Sequence, residues 1–187
     1  PTTPSRVTPN YVSNRAIEDN GQTITRNDIA LPNTAGDAYW NMYKKFGYAS
    51  YAKDGATLTH DQITTKIAAG AKVVLIGTGL DSNADELETE GSSLAHELFR
   101  SSNDPDNLIV MVINAPGLAL AELTEAATVA SNTTAESYRV LVTNFAIKMG
   151  LTKENTVFIG HSKGGEVAVA LGDIFDKVIA LTPSLHL

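Results

Sequence analysis

The stretch VFIGHSKGGEVAVAL, residues 157–171, decides how the rest of the chain is interpreted. Its apolar start ends at Gly160, and a second apolar run begins after Gly165. Between the two runs, Gly160, Ser162 and Gly164 fit the pattern G-x-S-x-G. A chance match to this pattern is expected in roughly one chain in twenty of this length. The residues on either side therefore decide what the pattern means.

The pattern lies where a strand is predicted to end and a helix to begin. Residues 156–160 have the continuous apolar character of a strand covered on both faces, and residues 164–175 have the composition of a short helix. A serine in such a turn adopts a strained backbone that lifts its hydroxyl clear of the sheet. Glycines beside it let strand and helix approach where a Cβ would collide. We therefore predict that Ser162 is a nucleophile.

Strands and helices alternate from residue 71 onward. This pattern is typical of an α/β fold with a mostly parallel sheet and helices on both faces, and residues 71–187 are predicted to form that core. The capping box Thr133-x-x-Glu136 is predicted to open the second helix of this region, and Gly150 to end it. The predicted strands are 72–77, 107–114, 156–160 and 177–181, and the predicted helices are 84–101, 133–149 and 164–175.

Residues 1–70 are less regular and are predicted to form an N-terminal arm and helices that pack on the core. The first 35 residues are rich in Thr, Asn, Pro and Ser, with a possible strand at 22–31. Residues 37–52 have aromatic side chains at helical spacing and are predicted to be a helix. A second helix is predicted at 60–69 after a Thr59 cap. The whole chain is expected to form one domain.

Composition excludes several classes of function. The net charge of −7, with 14 scattered basic residues, argues against a nucleic-acid partner. The absence of cysteine excludes disulfides and thiolate metal sites, and we expect neither a metal ion nor a cofactor. No apolar run reaches the roughly 18 residues that a membrane span needs. The compartment is left undecided.

The sequence GHSKGG (160–165), placed between strand and helix, resembles the nucleophile elbow of the α/β-hydrolase superfamily, particularly its lipases, esterases and thioesterases. The resemblance covers residues 71–185 and includes the order of strands and helices. It implies a serine hydrolase that cleaves a carboxylic ester or thioester through an acyl-enzyme on Ser162. The implied substrate is a small-molecule or lipid ester.

A second motif supports the resemblance. Residues 78–83, TGLDSN, are similar to the family's His-Gly loop, with Thr in place of His and Asp in place of Gly. The resemblance implies that the backbone amides of Leu80 and Lys163 are the two oxyanion donors. A shift of register by one residue would make Gly79 the donor in place of Leu80.

The histidine and the acid that would activate Ser162 are not identified in this sequence. The family's acid and histidine usually follow strands beyond the one at 177–181, and Thr182 stands where some lipases carry the acid. Of the four histidines, His161 precedes the serine and points away from its hydroxyl, and His96 is predicted on a helix surface. Neither His60 nor the penultimate His186 completes a convincing triad.

These gaps lead to the hypothesis that the chain is the N-terminal portion of a larger hydrolase, running through the family's sixth strand. The apolar strand at 177–181 would otherwise be a bare sheet edge, which folded proteins avoid. A second chain, a swapped partner or a missing C-terminal segment would complete the sheet and supply the histidine and acid.

Two other functions stay open. A non-catalytic α/β-hydrolase-fold protein that binds a ligand or partner would explain the incomplete triad. A dinucleotide-binding domain is suggested by Gly77-x-Gly79-x-x-Ser82 between a strand and a helix. That second pattern lacks its third glycine, and the following strand ends in Asn114 where a ribose-binding acid would be expected.

Overall fold

The computed structural model describes residues 10–31, 46–53, 57–79, 84–113 and 135–181. The strands of these ranges are β1 (Asn10–Asp19), β2 (Gln22–Leu31), β3 (Phe46–Lys53), β4 (Lys72–Gly77), β5 (Leu108–Ile113), β6 (Thr156–His161) and β7 (Lys177–Leu181). The helices are α1 (His60–Ala68), α2 (Leu94–Ser101), α3 (Ala135–Met149) and α4 (Lys163–Val169), with short 3₁₀ helices at Ala84–Glu88 and Pro105–Asn107.

All the described strands belong to one sheet, in the order β1-β2-β3-β5-β4-β6-β7. Strands β5, β4, β6 and β7 are parallel to one another, as the alternation of strands and helices predicts. Strands β1, β2 and β3 form an antiparallel wing, whose last strand also pairs antiparallel with β5. The α/β class is confirmed, and the sheet is mixed because this wing extends its parallel half.

The antiparallel wing corrects the prediction of a helix over 37–52. Residues 46–53 form β3, while 37–45 lie outside the described residues. The side chains of Tyr48 and Tyr51 are both buried, but they enter different apolar clusters on opposite faces of the sheet. Aromatic residues are enriched in β-strands, where they pack against neighbours on the sheet surface. Helical spacing of aromatic residues was therefore a misleading signal here.

The predicted helix over 84–101 is interrupted. Its first part is the 3₁₀ helix, and α2 begins only at Leu94, because Gly91 adopts a positive φ of 80° and Ser93 caps the new helix. The predicted helix over 164–175 is also shorter and ends at Val169. In both cases the apolar pattern in the sequence continues past the point where the helix is interrupted or ends. The turn at that point therefore determines the helix boundary, and the apolar pattern does not.

Two helix boundaries agree with the sequence. The side chain and backbone of Thr59 form a reciprocal capping box with Gln62 at the start of α1. Gly150 has a positive φ of 69° and ends α3 after Met149. The proposed capping box at Thr133 lies outside the described residues.

The core has one apolar cluster on each face of the sheet. Residues of α1, α3 and α4 enter one cluster, and residues of α2 enter the other. β5 is buried along its whole length. β7 differs, because Ile179 and Leu181 remain 45% and 42% exposed. Within the described ranges, no helix has both the length and the apolar character needed to cross a membrane.

Ion pairs join the antiparallel wing to the 3₁₀ helix that begins at Ala84. Arg26 donates to the Glu88 carboxylate over 2.8 Å, and Tyr51 Oη donates to the same carboxylate over 2.7 Å. The side chains of Arg26 and Glu88 are only 13% and 6% exposed. Arg15, which is 53% exposed, also pairs with Glu88. Glu88 is therefore the centre of a largely buried polar cluster.

Candidate active site

Ser162 occupies the turn between β6 and α4. Its backbone has φ 55° and ψ −113°. Among the described residues other than glycine, only Asn20, in the β1–β2 turn, shares a positive φ. Such a conformation costs a non-glycine residue of the order of 1–3 kcal/mol and persists only where neighbouring structure enforces it.

Backbone hydrogen bonds hold Ser162 on both sides. Its N–H donates to the Leu181 carbonyl of β7 over 3.0 Å, and its carbonyl accepts the Glu166 N–H of α4 over 3.0 Å. The side chain does not cap α4. The strained backbone is thus held by its own amide and carbonyl, without using the hydroxyl.

Three glycines bring the elements around Ser162 into backbone contact. A Cβ on Gly160 would overlap the carbonyl of Gly164, and a Cβ on Gly164 would overlap the carbonyl of Gly77 and lie 3.1 Å from the Thr78 oxygen. We call Gly77, Gly160 and Gly164 the glycine junction. It packs the first turn of α4 against the ends of both β6 and β4. The sequence pointed to Gly160 and Gly164, but the part played by Gly77 was missed.

The side chain of Tyr138, on α3, contacts the glycine junction at the end of β4. Its hydroxyl donates to the Thr78 carbonyl over 2.8 Å, and a Cβ on Gly77 would lie 2.9 Å from that hydroxyl. The Thr78 N–H donates to the Ile113 carbonyl over 3.2 Å. Burial raises the pKa of Tyr138 far above its ordinary value, so the phenol keeps its proton and remains a donor.

The described structure contains one of the two expected oxyanion donors. Lys163 is the first residue of α4 and directly follows Ser162. Leu80 lies outside the described residues, as do Thr182 and His186. Gly79 is buried and is the last described residue after β4. The glycine junction therefore brings the end of β4 next to the start of α4.

Two histidines have hydrogen-bond partners other than the serine hydroxyl. His96 was expected on a helix surface, but it is fully buried, because the β1–β2 hairpin covers this part of α2. Its ring contacts Ser93 Oγ over 2.6 Å and the Ile17 carbonyl over 3.0 Å. His60 Nδ1 lies 2.8 Å from Tyr48 Oη. Burial lowers the pKa of His60, an effect that Asp61 opposes and Lys148 reinforces.

The remaining described candidates also fall short of a triad. His161 is exposed at the end of β6. Asp176 precedes β7 and pairs with Lys153 over 3.7 Å, at the opposite end of that strand from Leu181. Within the described part of the chain, no histidine hydrogen-bonds the Ser162 hydroxyl.

Comparison with known proteins gives structural neighbours only. No family profile and no curated protein matches the chain. A ferulic acid esterase matches 83% of this chain and 59% of its own, at 15% identity and a TM-score of 0.46. The match to the esterase Est22 covers 87% of this chain and 45% of the esterase, at 17% identity and a TM-score of 0.42. The match to LpqC, a poly(3-hydroxybutyrate) depolymerase from Bordetella parapertussis, covers 78% of this chain and 46% of the depolymerase. Its identity is 16% and its TM-score is 0.41.

The chain spans about half the length of these solved structures. The neighbours are esterases and hydrolases of the α/β-hydrolase class. The chain's own strand order places β4 between β5 and β6, with β7 at the edge and a helix between successive strands of this parallel half. The described chain thus has an α/β fold, in which a helix follows each strand of the parallel half up to β7.

Proposed function

We propose that the chain carries the nucleophile of a serine hydrolase that cleaves a carboxylic ester or thioester through an acyl-enzyme on Ser162. The observation that carries this proposal is the positive φ of 55° at Ser162, in a strand-to-helix turn packed by the glycine junction. A fold that maintains such strain at a polar residue commonly does so for function.

The proposed reaction has two steps. Ser162 Oγ bonds to the substrate carbonyl carbon while a base takes its proton, and the carbonyl oxygen becomes an oxyanion. The amides of Lys163 and Leu80 donate hydrogen bonds to that oxyanion. Collapse expels the alcohol or thiol, which receives the proton, and water then hydrolyses the acyl-enzyme. One oxyanion donor typically contributes about 100- to 1000-fold in turnover.

The base and acid are proposed to come from outside the described residues, in a further segment or in another chain. This proposal is supported by the exposed side chains of β7, since Ile179 and Leu181 are both more than two-fifths exposed. Among the described strands, β7 pairs only with β6. A segment packed at this edge would cover those side chains and lie next to β7, whose Leu181 carbonyl accepts the Ser162 N–H.

A fluorophosphonate probe tests Ser162 directly. The probe is applied to the chain and to the complete product of its gene, each as wild type, Ser162→Ala and Ser101→Ala. Ser101 is an exposed serine at the end of α2 and serves as the matched control. We expect covalent labelling of the wild type and of the Ser101 variant, and none of Ser162→Ala. Full labelling of Ser162→Ala would reject Ser162 as the nucleophile.

A second candidate function is a non-catalytic α/β-hydrolase-fold protein that binds a ligand or partner. The observation that favours it is that no described histidine hydrogen-bonds the serine hydroxyl. Absence of labelling in the complete gene product, with a cooperative unfolding transition showing that it is folded, would favour this candidate over the hydrolase.

A further inference from the structure

We infer that Tyr138 is a positioning residue for the oxyanion site, because its buried hydroxyl holds the end of β4 against the first turn of α4. This inference rests on the proposed function. Among the described residues, no hydrogen bond joins Tyr138 to Ser162. Tyr138 would act through the first turn of α4, which carries the proposed donor Lys163.

The first step of the argument is the hydrogen bond at the end of β4. Tyr138 is fully buried, and its hydroxyl donates to the Thr78 carbonyl over 2.8 Å. Thr78 is itself only 4% exposed. Loss of the donor would leave this buried carbonyl unsatisfied, which is more costly than never forming the bond at an exposed site. The bond therefore fixes Thr78 from the side of α3.

The second step is the contact between Thr78 and α4. A Cβ on Gly164 would lie 3.1 Å from the Thr78 oxygen, the same atom that accepts the Tyr138 hydroxyl. The hydroxyl would also lie 2.9 Å from a Cβ on Gly77. Tyr138, the end of β4 and the start of α4 thus form one continuous contact. No side chain of β4 or α4 separates them at the glycine junction.

The third step relates this contact to the proposed chemistry. Lys163, whose amide is a proposed oxyanion donor, directly precedes Gly164. The position of that amide therefore depends on the contact between Thr78 and Gly164. A misplacement of about 1 Å in catalytic groups can cost about 100-fold in rate. Removing the hydroxyl should therefore weaken oxyanion binding more than substrate binding.

The test compares Tyr138→Phe with Tyr48→Phe in the complete gene product. Tyr48 is a good control because it is also buried, packs edge-on against Phe145 of α3, and loses a hydroxyl bonded to His60. With an ester substrate, we expect Tyr138→Phe to lower kcat by about 10- to 100-fold while KM changes by less than about threefold. Tyr48→Phe should leave both within about threefold. A rise in KM alone would overturn the inference.

A second substrate separates positioning from general damage. In a thionoester, sulfur replaces the carbonyl oxygen and is a poorer hydrogen-bond acceptor, so the ratio of ester to thionoester turnover reports on the oxyanion donors. Partial unfolding lowers both rates equally. We expect this ratio to fall in Tyr138→Phe and to stay at the wild-type value in Tyr48→Phe. An unchanged ratio in Tyr138→Phe would contradict the inference.

Amide hydrogen exchange gives a measurement that needs no activity. The Thr78 N–H bonds Ile113 at one end of β4, and the Val73 N–H bonds Asn155 at the other. We expect Tyr138→Phe to speed exchange at Thr78 by about tenfold relative to Val73, and Tyr48→Phe to leave the ratio unchanged. If wild-type protein shows no Ser162-dependent turnover, the proposed function fails, and this ratio alone decides whether Tyr138 holds β4. An unchanged ratio overturns the inference.

Discussion

The glycine junction and the antiparallel wing are stabilised in opposite ways. At the junction, Gly77, Gly160 and Gly164 have no side chains, and the elements meet backbone to backbone. In the wing, β2 and β3 are joined to the rest of the chain by long polar side chains, with Glu88 bonded to Arg26 and Tyr51. The junction can therefore accept no added atom, whereas the wing should lose stability when atoms are removed.

The largest expected effect is at the junction. Gly164→Ala places a Cβ against the carbonyl of Gly77. The atoms that it meets belong to the backbone, so they cannot move aside as a flexible side chain could. We expect it to lower the free energy of unfolding by at least about 3 kcal/mol, measured by urea denaturation. Gly172→Ala is the matched control, because nothing lies within 4 Å of its Cβ position, and it should change stability by less than about 1 kcal/mol. Equal effects at the two positions would show that the junction is not tightly packed.

An intermediate effect is expected in the wing. Glu88→Ala removes the acceptor shared by Arg26 and Tyr51, while Arg26 keeps its bond to Asp28. We expect a loss of about 2 kcal/mol in the free energy of unfolding. Arg15→Ala breaks a pair at a 53% exposed side chain and should cost less than about 1 kcal/mol. If Arg15→Ala cost as much as Glu88→Ala, burial would not be what makes the cluster stabilising.

The smallest effect is a pH dependence at the boundary between the wing and α1. Burial lowers the pKa of His60 below the ordinary histidine value of about 6.5, so the unfolded chain binds a proton more readily than the folded one. The stability due to neutral His60 is fully present above about pH 6.5 and is lost as the pH falls through and below that value. The same ring lies within hydrogen-bond distance of the Tyr48 hydroxyl, with His60 Nδ1 2.8 Å from Tyr48 Oη.

Urea denaturation between about pH 8 and about pH 5 measures this effect. His60→Asn should flatten the loss of stability over this range, since an amide does not titrate. His161→Asn, at an exposed position of β6, is the control and should keep the wild-type slope. If His60→Asn kept the wild-type dependence of unfolding free energy on pH, His60 would not be the cause of that dependence.

The two regions also differ in how far the sequence predicts them. The parallel strands β4, β5 and β6 are nearly continuous apolar runs, and burial on both faces requires such runs. The wing gives a weaker signal, because Asn27 and Ser50 are fully buried and look like surface residues in the sequence; within the described ranges their side chains have no hydrogen-bond partner. The N-terminal region was consequently interpreted as an arm and helices, although β1–β3 continue the sheet.

The candidate site also has a part that the sequence predicts and a part that it does not. Strand, glycines and helix are adjacent in sequence around Ser162, so local pattern was sufficient to locate this turn. The bond between Tyr138 and Thr78 joins residues 60 positions apart and depends on how α3 packs. A core tyrosine and a hydrogen-bonding tyrosine look identical in a sequence. Similarly, the burial of His96 depends on β1, which lies 79 residues earlier at Ile17.

The contacts of the β1–β2 hairpin have a consequence for the order in which the nascent chain can fold. The hairpin leaves the ribosome before α2, but Ile17 bonds His96 and Asp19 bonds Arg100, 79 and 81 residues later. At about 5–20 residues per second, that separation corresponds to about 4–16 seconds of translation. β1 and β2 must therefore wait for these contacts until α2 emerges, although β2 can already pair with β3.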